Sequence, residues 1–206
     1  VAPAASLALD IGAGADNLVI ATAEMVLRKI ELERIEVKDC EAEPSPSGCE
    51  DFELGPARVV IPTGAGATTR VTINVEPGTY KEVQFEIHKV SGSDPADAAF
   101  RAANPDLLDQ SIKVTGTFNG RPFTFFSDVG AKQEVQLEPN LAVTDLTTST
   151  NLTIRVVVGD WFKTAAGALI DPATANKGGA NENVVKENIR RSMKAFEDKD
   201  KDGREG

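Results

Sequence analysis

Apolar and polar residues alternate one by one through several separate stretches of this chain: Val71-Ile73-Val75, Val83-Phe85-Ile87, Ile112-Val114, Val135-Leu137 and Leu152-Ile154-Val156-Val158. A period of two turns successive side chains to opposite faces, so each stretch reads as a strand with one face that needs cover. Turn chemistry lies between them. Pro77-Gly78 separates "RVTINVE" from "YKEVQFEIH", and Asn119-Gly120 separates "SIKVTGTF" from "PFTFFS". Both predict hairpins, the second through the dipeptide favoured in two-residue turns.

The segment Ile20 to Lys38 is rich in helix formers. Yet Ile30, Leu32, Ile35 and Val37 fit two strand stretches offset by a bulge at Glu33-Arg34, and a long strand is expected. "DPADAAFRAAN" predicts a short surface helix, with Asp94 as cap, Pro95 in the first turn and a stop at Asn104-Pro105. Val184, Val185, Ile189, Met193 and Phe196 recur at helical spacing, which predicts a C-terminal helix over about 181–197 with one apolar stripe, followed by an acidic tail, 198–206. No Pro-, Gly- or Ser-rich linker divides the 206 residues, so one domain over 1–206 is expected. The class is mainly β: an antiparallel two-layer β-sandwich of about seven to nine strands with a short surface helix and a C-terminal helix.

A net charge of −10 argues against nucleic acid as a partner, because phosphate binding needs clustered Lys and Arg. No apolar run reaches the roughly 18 residues of a membrane span. The start at "VAPAAS", small and apolar, reads as what remains after a leader is removed, and an exported location follows: extracellular, cell-surface or periplasmic. Cys40 and Cys49 flank the polar loop "EAEPSPSG", where the chain must reverse. A disulfide between them is expected in an oxidising compartment, with free thiols as the alternative. Metal binding by the pair lacks the tight spacing and the further ligands that a thiolate site uses.

Catalytic reagents are few. His88 is the one histidine, and it falls on the polar side of its strand, where it reads as a solvated residue. "IGAGAD" (11–16) and "TGAGAT" (63–68) resemble fragments of phosphate-binding loops but complete neither known glycine pattern, so they read as loops between strands. Two carboxylates can converge from anywhere in a fold, which keeps a carboxylate-based hydrolase open. With aromatic residues at 5% there is little stacking surface for sugars, and Trp161 reads as core. Asn151-Leu152-Thr153 has the pattern of a glycosylation acceptor.

The tail carries the one metal pattern. Asp198, Asp200, Asp202 and Gly203 occupy the places of positions 1, 3, 5 and 6 of a calcium loop, directly after a predicted helix. The bidentate Glu of that loop would fall past residue 206, so Ca2+ would need another carboxylate, such as Glu205. The alternative is a solvated tail in which Lys199 and Lys201 partly neutralise the aspartates.

Across "RKIELERIEV", "VEPGTYKEVQFEIHK" and "DPATANKGGANENVVKENIRRSMKAFEDKDKDG" the chain resembles a group of uncharacterised bacterial exported proteins and lipoproteins. The resemblance implies a prealbumin-like or immunoglobulin-like sandwich and carries no catalytic residues. The expected function is a non-enzymatic, exported β-sandwich acting as a structural or binding module, with Ca2+ at Asp198, Asp200 and Asp202. One alternative is a filament subunit, assembled by strand exchange through the N-terminal segment Val1 to Asp10. The other is a carboxylate- or calcium-dependent hydrolase.

Overall fold

The computed structural model describes residues 8–35, 51–63, 69–92, 95–144 and 149–197. They form eleven strands: β1 (Leu9–Ala13), β2 (Asp16–Arg34), β3 (Phe52–Leu54), β4 (Ala57–Ile61), β5 (Thr69–Asn74), β6 (Gly78–Ile87), β7 (Ile112–Phe118), β8 (Arg121–Ser127), β9 (Ala131–Val143), β10 (Ser149–Val156) and β11 (Met193–Glu197). Helix α1 (Pro95–Ala103) follows β6, and α2 (Glu182–Ser192) runs directly into β11. Eight strands make one sheet and β11-β10-β5 make a second. Every pairing is antiparallel. The mainly-β, antiparallel class expected from the sequence is the class observed, with more strands than anticipated because β1, β3 and β4 are short.

β2 is the spine of the larger sheet. Its 19 residues are too many for one neighbour, and the registers show how they are shared. Along one edge lie β1 (Leu9 opposite Ile20), β4 (Ala23 opposite Ile61) and β3 (Ile30 opposite Leu54). Along the other lie β7 (Leu18 opposite Phe118) and then β6 (Leu27 opposite Ile87). β8 extends the sheet beyond β7, and β9 extends it beyond β6.

β2 slips register against β6 between Leu27 and Lys29 and again between Glu33 and Arg34, the second at the bulge its sequence predicts. It also slips against β7 between Ile20 and Thr22. Here Gly116 lets the backbones close up: a Cβ at that position would stand 1.9 Å from the Val19 carbonyl oxygen.

Alternation makes the core. Leu18, Ile20, Ala23, Met25, Leu27, Ile30 and Leu32 of β2 are buried together with Val83, Phe85 and Ile87 of β6 and Val114 of β7. Val156 of β10, Met193 of β11 and Val185 and Ile189 of α2 belong to the same core. At Met25-Val26-Leu27 three consecutive residues are buried, so β2 is covered on both faces there. Val26 points away from the main core and packs with Val90, Phe100 of α1 and Leu107.

Two local expectations are corrected. Pro77-Gly78 does not close a hairpin, because β5 pairs with β10 in the small sheet while β6 pairs with β2 and β9 in the large one. The turn is a corner between sheets, fixed by Arg34, whose Nη1 donates to the Pro77 carbonyl at 3.0 Å. The C-terminal helix expected over about 181–197 ends at Ser192, and Met193–Glu197 pairs with β10 from Val156 to Leu152. Met193 serves the core either way, so the apolar stripe did not distinguish the two conformations, and the open edge of β10 decided it. The Asn119-Gly120 hairpin forms as expected, with both residues at positive φ (50° and 76°), the conformation a type I′ turn requires.

Candidate functional site

The residues singled out in the sequence do not come together among the described residues. Cys40 and Cys49 lie outside the described residues, and so do Asp198, Asp200, Asp202 and Gly203. Of the N-terminal segment, residues 1–7 also lie outside, while Leu9 and Asp10 pair with Ile20 and Val19 of the same chain. "IGAGAD" forms the end of β1 and its turn into β2, with Gly14 at φ 66°; 64–68 of the other glycine stretch are outside. Asn151 lies in β10, the middle strand of the small sheet.

His88 follows β6, half-buried, with Nδ1 2.9 Å from the Lys89 carbonyl oxygen. Its ring lies against Gly130, where a Cβ would come within 3.0 Å of it. Trp161 is fully buried, as its place after the strongest alternating strand suggests. Its Nε1 donates to Ser192 Oγ at 2.6 Å, and Asn188 Nδ2 donates to its carbonyl at 3.0 Å, which ties α2 to the turn after β10. Ser111 Oγ, also fully buried, donates to the Val129 carbonyl at 2.6 Å.

The densest polar group gathers where α1 and the turn after it meet β2, β4 and β7. Arg58 of β4 holds Glu24 of β2 with Nε 3.2 Å from Oε1 and Nη2 2.7 Å from Oε2, the fork that suits guanidinium and carboxylate. Two further contacts, Nη1 to Asp106 Oδ1 and Nη2 to Asp106 Oδ2, both at 3.1 Å, reach the 3-10 turn Pro105–Leu107. Lys113 of β7 meets Asp106 Oδ2 at 2.6 Å. Farther along β2, Arg28 pairs with Asp97 of α1 at 3.0 Å, and the Asp97 side chain is fully buried. The hydrogen bond from Lys113 lowers the Asp106 pKa below its ordinary value against a smaller opposing effect of burial, with Arg58 adding to it. Glu24 in turn raises the pKa of Arg58.

A second group joins α2 to the loop after β8. Lys186 Nζ stands 2.6 Å from both Asp128 Oδ1 and Glu182 Oε1, and Glu182 Oε2 accepts from the Gly178 N–H at 2.6 Å. Lys186 draws both carboxyls below their ordinary values. Burial works against the charge on Lys186, and the two carboxylates outweigh it, leaving its pKa raised.

The third group is at the corner between sheets. Arg34, at the end of β2, is 7% exposed; its guanidinium lies 5.1 Å from the centroid of the Tyr80 ring and bonds the Pro77 carbonyl, while its backbone N–H donates to Asp51 Oδ1 at 2.9 Å. Tyr80 donates its hydroxyl to the Glu76 carbonyl at 2.8 Å, and burial raises its pKa.

These groups share a chemistry. Among the described residues each carboxyl with a displaced pKa, Asp106, Asp128 and Glu182, is pushed down by a cation, which favours its anion; a general acid needs the opposite displacement. Among the described residues no three His, Cys, Asp or Glu side chains group as a metal site. Sequence reading passed over Arg34, Arg58 and Lys186, because single charged residues read as solvated faces. The available signals were the bulge beside Arg34, the place of Arg58 on the outer side of the alternating stretch Ala57–Ile61, and the i, i+4 spacing of Glu182 and Lys186. No family model, curated protein or solved structure matches the chain.

Proposed function

We propose that this chain is an exported, non-enzymatic β-sandwich module with a structural or binding role, of the kind found in the bacterial exported proteins and lipoproteins it resembles. The observation that carries the reading is the use of its charged side chains. Arg34, Arg58 and Lys186 each connect separate elements of the fold, and the carboxyls beside Arg58 and Lys186 are stabilised as anions. The shared core of the small sheet and the large one supports a two-layer arrangement. A hydrolase that uses a carboxyl as general acid requires instead one kept protonated near neutral pH, paired with an ionised one. Assembly by strand exchange would rest on residues 1–7, since Leu9 and Asp10 are already paired.

In this reading a Cys40–Cys49 disulfide closes the loop between β2 and β3, and Ca2+ at Asp198, Asp200 and Asp202 pins the tail that follows β11. Calorimetric titration of the full chain with calcium, beside a variant carrying Asp198→Asn, Asp200→Asn and Asp202→Asn, tests the metal. Heat of binding lost in the variant supports a calcium-pinned module for an extracellular setting. Absence of heat in both reduces the tail to a solvated one and removes calcium from the reading.

A further inference from the structure

β8 closes one end of the larger sheet: its inner edge pairs with β7, and among the described residues no strand pairs with its outer edge. Such an edge offers a row of backbone N–H and C=O groups to any extended chain. The groups that face outward here are those of the even-numbered residues. The Phe126 N–H donates to Asn176 Oδ1 at 2.9 Å, and Asn176 Nδ2 donates to the Thr124 carbonyl at 3.4 Å. One side-chain carboxamide thus serves O of residue 124 and N–H of residue 126, the pair that one residue of a parallel neighbouring strand would serve.

Asn176 is held for this role. It ends the 3-10 turn Pro172–Ala175, whose start is capped by Asp171, the side chain accepting from Ala173 N at 2.9 Å. Its carbonyl accepts from the Gly179 N–H at 2.7 Å, and Asn181 bonds Thr174 through both its backbone N–H (3.0 Å) and its side chain (2.9 Å). Gly179 permits this closeness, since a Cβ there would stand 2.1 Å from the Thr174 oxygen.

A second feature guards the same edge. Pro122 has the outward parity of Thr124 and Phe126 and has no N–H to offer. The stretch after that proline, Phe123-Thr124-Phe125-Phe126-Ser127, is uncharged, free of Pro and Gly and rich in aromatic residues, a composition suited to pairing with a copy of itself.

We infer that the outer edge of β8 is a self-association edge kept closed by the Asn176 carboxamide, and that its occupant when opened is β8 of a second copy of this chain. A two-fold pairing places Thr124 of one copy opposite Phe126 of the other, with Phe125 at the axis, so the two groups that Asn176 now satisfies are satisfied by the partner strand.

The test is sedimentation of the full chain as wild type, as Asn176→Ala, and as Asn176→Ala with Thr124→Pro, which removes an outward N–H. Trp161 emission reports folding. The inference expects Asn176→Ala to lower the concentration at the monomer–dimer midpoint at least about tenfold, and the added proline to reverse this. It is overturned if Asn176→Ala sediments as the wild type does at every concentration, or if its dimer persists with the proline. Asn176→Ser, which also lacks the bridging carboxamide, is read by the same criteria and decides the matter should Asn176→Ala not fold.

Discussion

The guanidinium of Arg34 lies 5.1 Å from the centre of the Tyr80 ring, with Gly78 close against both: a Cβ on Gly78 would fall 2.5 Å from Arg34 Nη1 and 3.5 Å from Tyr80 Cζ. This contact holds the corner at which the chain leaves the small sheet for the large one. Arg34→Ala removes a desolvated cation–ring contact and the bond to Pro77, with an expected loss of about 2–3 kcal/mol in denaturant unfolding. Arg34→Lys keeps the charge and loses the planar fork, and should fall between the two. An alanine variant as stable as wild type would mean that the corner is held elsewhere.

Gly78→Ala attacks the same contact from the other side. Its methyl group forces the guanidinium off the ring, and the expected cost is about 1–3 kcal/mol by the same unfolding measurement. Combined with Arg34→Ala the penalty should shrink, since the clash has gone; strict additivity of the two would contradict the geometry.

Gly116→Ala meets backbone rather than a side chain end, 1.9 Å from the Val19 oxygen. β7 must separate from β2 to admit it. A loss greater than about 3 kcal/mol is expected, at the severe end for a single substitution, with amide exchange accelerated on both sides of the Ile20–Thr22 slip. Unchanged exchange there would show that the strands are not closely apposed.

Trp161 and Ser192 are joined by a 2.6 Å hydrogen bond at the point where α2 gives way to β11. Ser192→Ala leaves a buried indole N–H without that acceptor, at an expected cost of about 1–3 kcal/mol. As Trp161 is the one tryptophan of the chain, its emission should change with the substitution. Identical emission and stability would place the indole N–H in another environment.

Acid stability follows from the carboxyls. Asp106, Asp128 and Glu182 have folded pKa values below their ordinary ones, so the stability they contribute is present above the unfolded carboxylate value and is lost as pH falls through the folded value. Unfolding free energy should be level from neutrality to about pH 5 and fall below about pH 4. Lys186→Met should flatten part of that fall. Lys186 and Tyr80 have raised values, so their contributions are present below the unfolded pKa and are lost as pH rises through the folded one, giving a decline above about pH 10. A fall in stability already under way between pH 7 and 5 would contradict the assignment.

Much of the architecture was legible where local chemistry and long-range pairing agree. The alternation of Val83, Phe85 and Ile87, the bulge at Glu33-Arg34 and the Asn119-Gly120 turn are each decided within a few residues. Pro77-Gly78 was not legible as a corner, because the same dipeptide suits a turn within a sheet and a turn between sheets, and the choice depends on Arg34, more than forty residues away. Met193–Glu197 was not legible as strand, because Val185, Ile189 and Met193 continue a helical stripe past the point where β10 becomes available. Arg58 and Lys186 were passed over for a similar reason: a charged side chain shows its partners only once the strands are in register.

The central claim, that Asp106, Asp128 and Glu182 hold the fold as ion-paired carboxylates, is tested most directly by following the side-chain carboxyl carbons of the full chain by nuclear magnetic resonance across pH. The account expects Asp106, Asp128 and Glu182 to titrate below the ordinary carboxylate range, and Asp128 and Glu182 to move back toward it in Lys186→Met. Any of the three titrating above that range, or remaining protonated at neutral pH, would contradict the claim and make the hydrolase reading the better one.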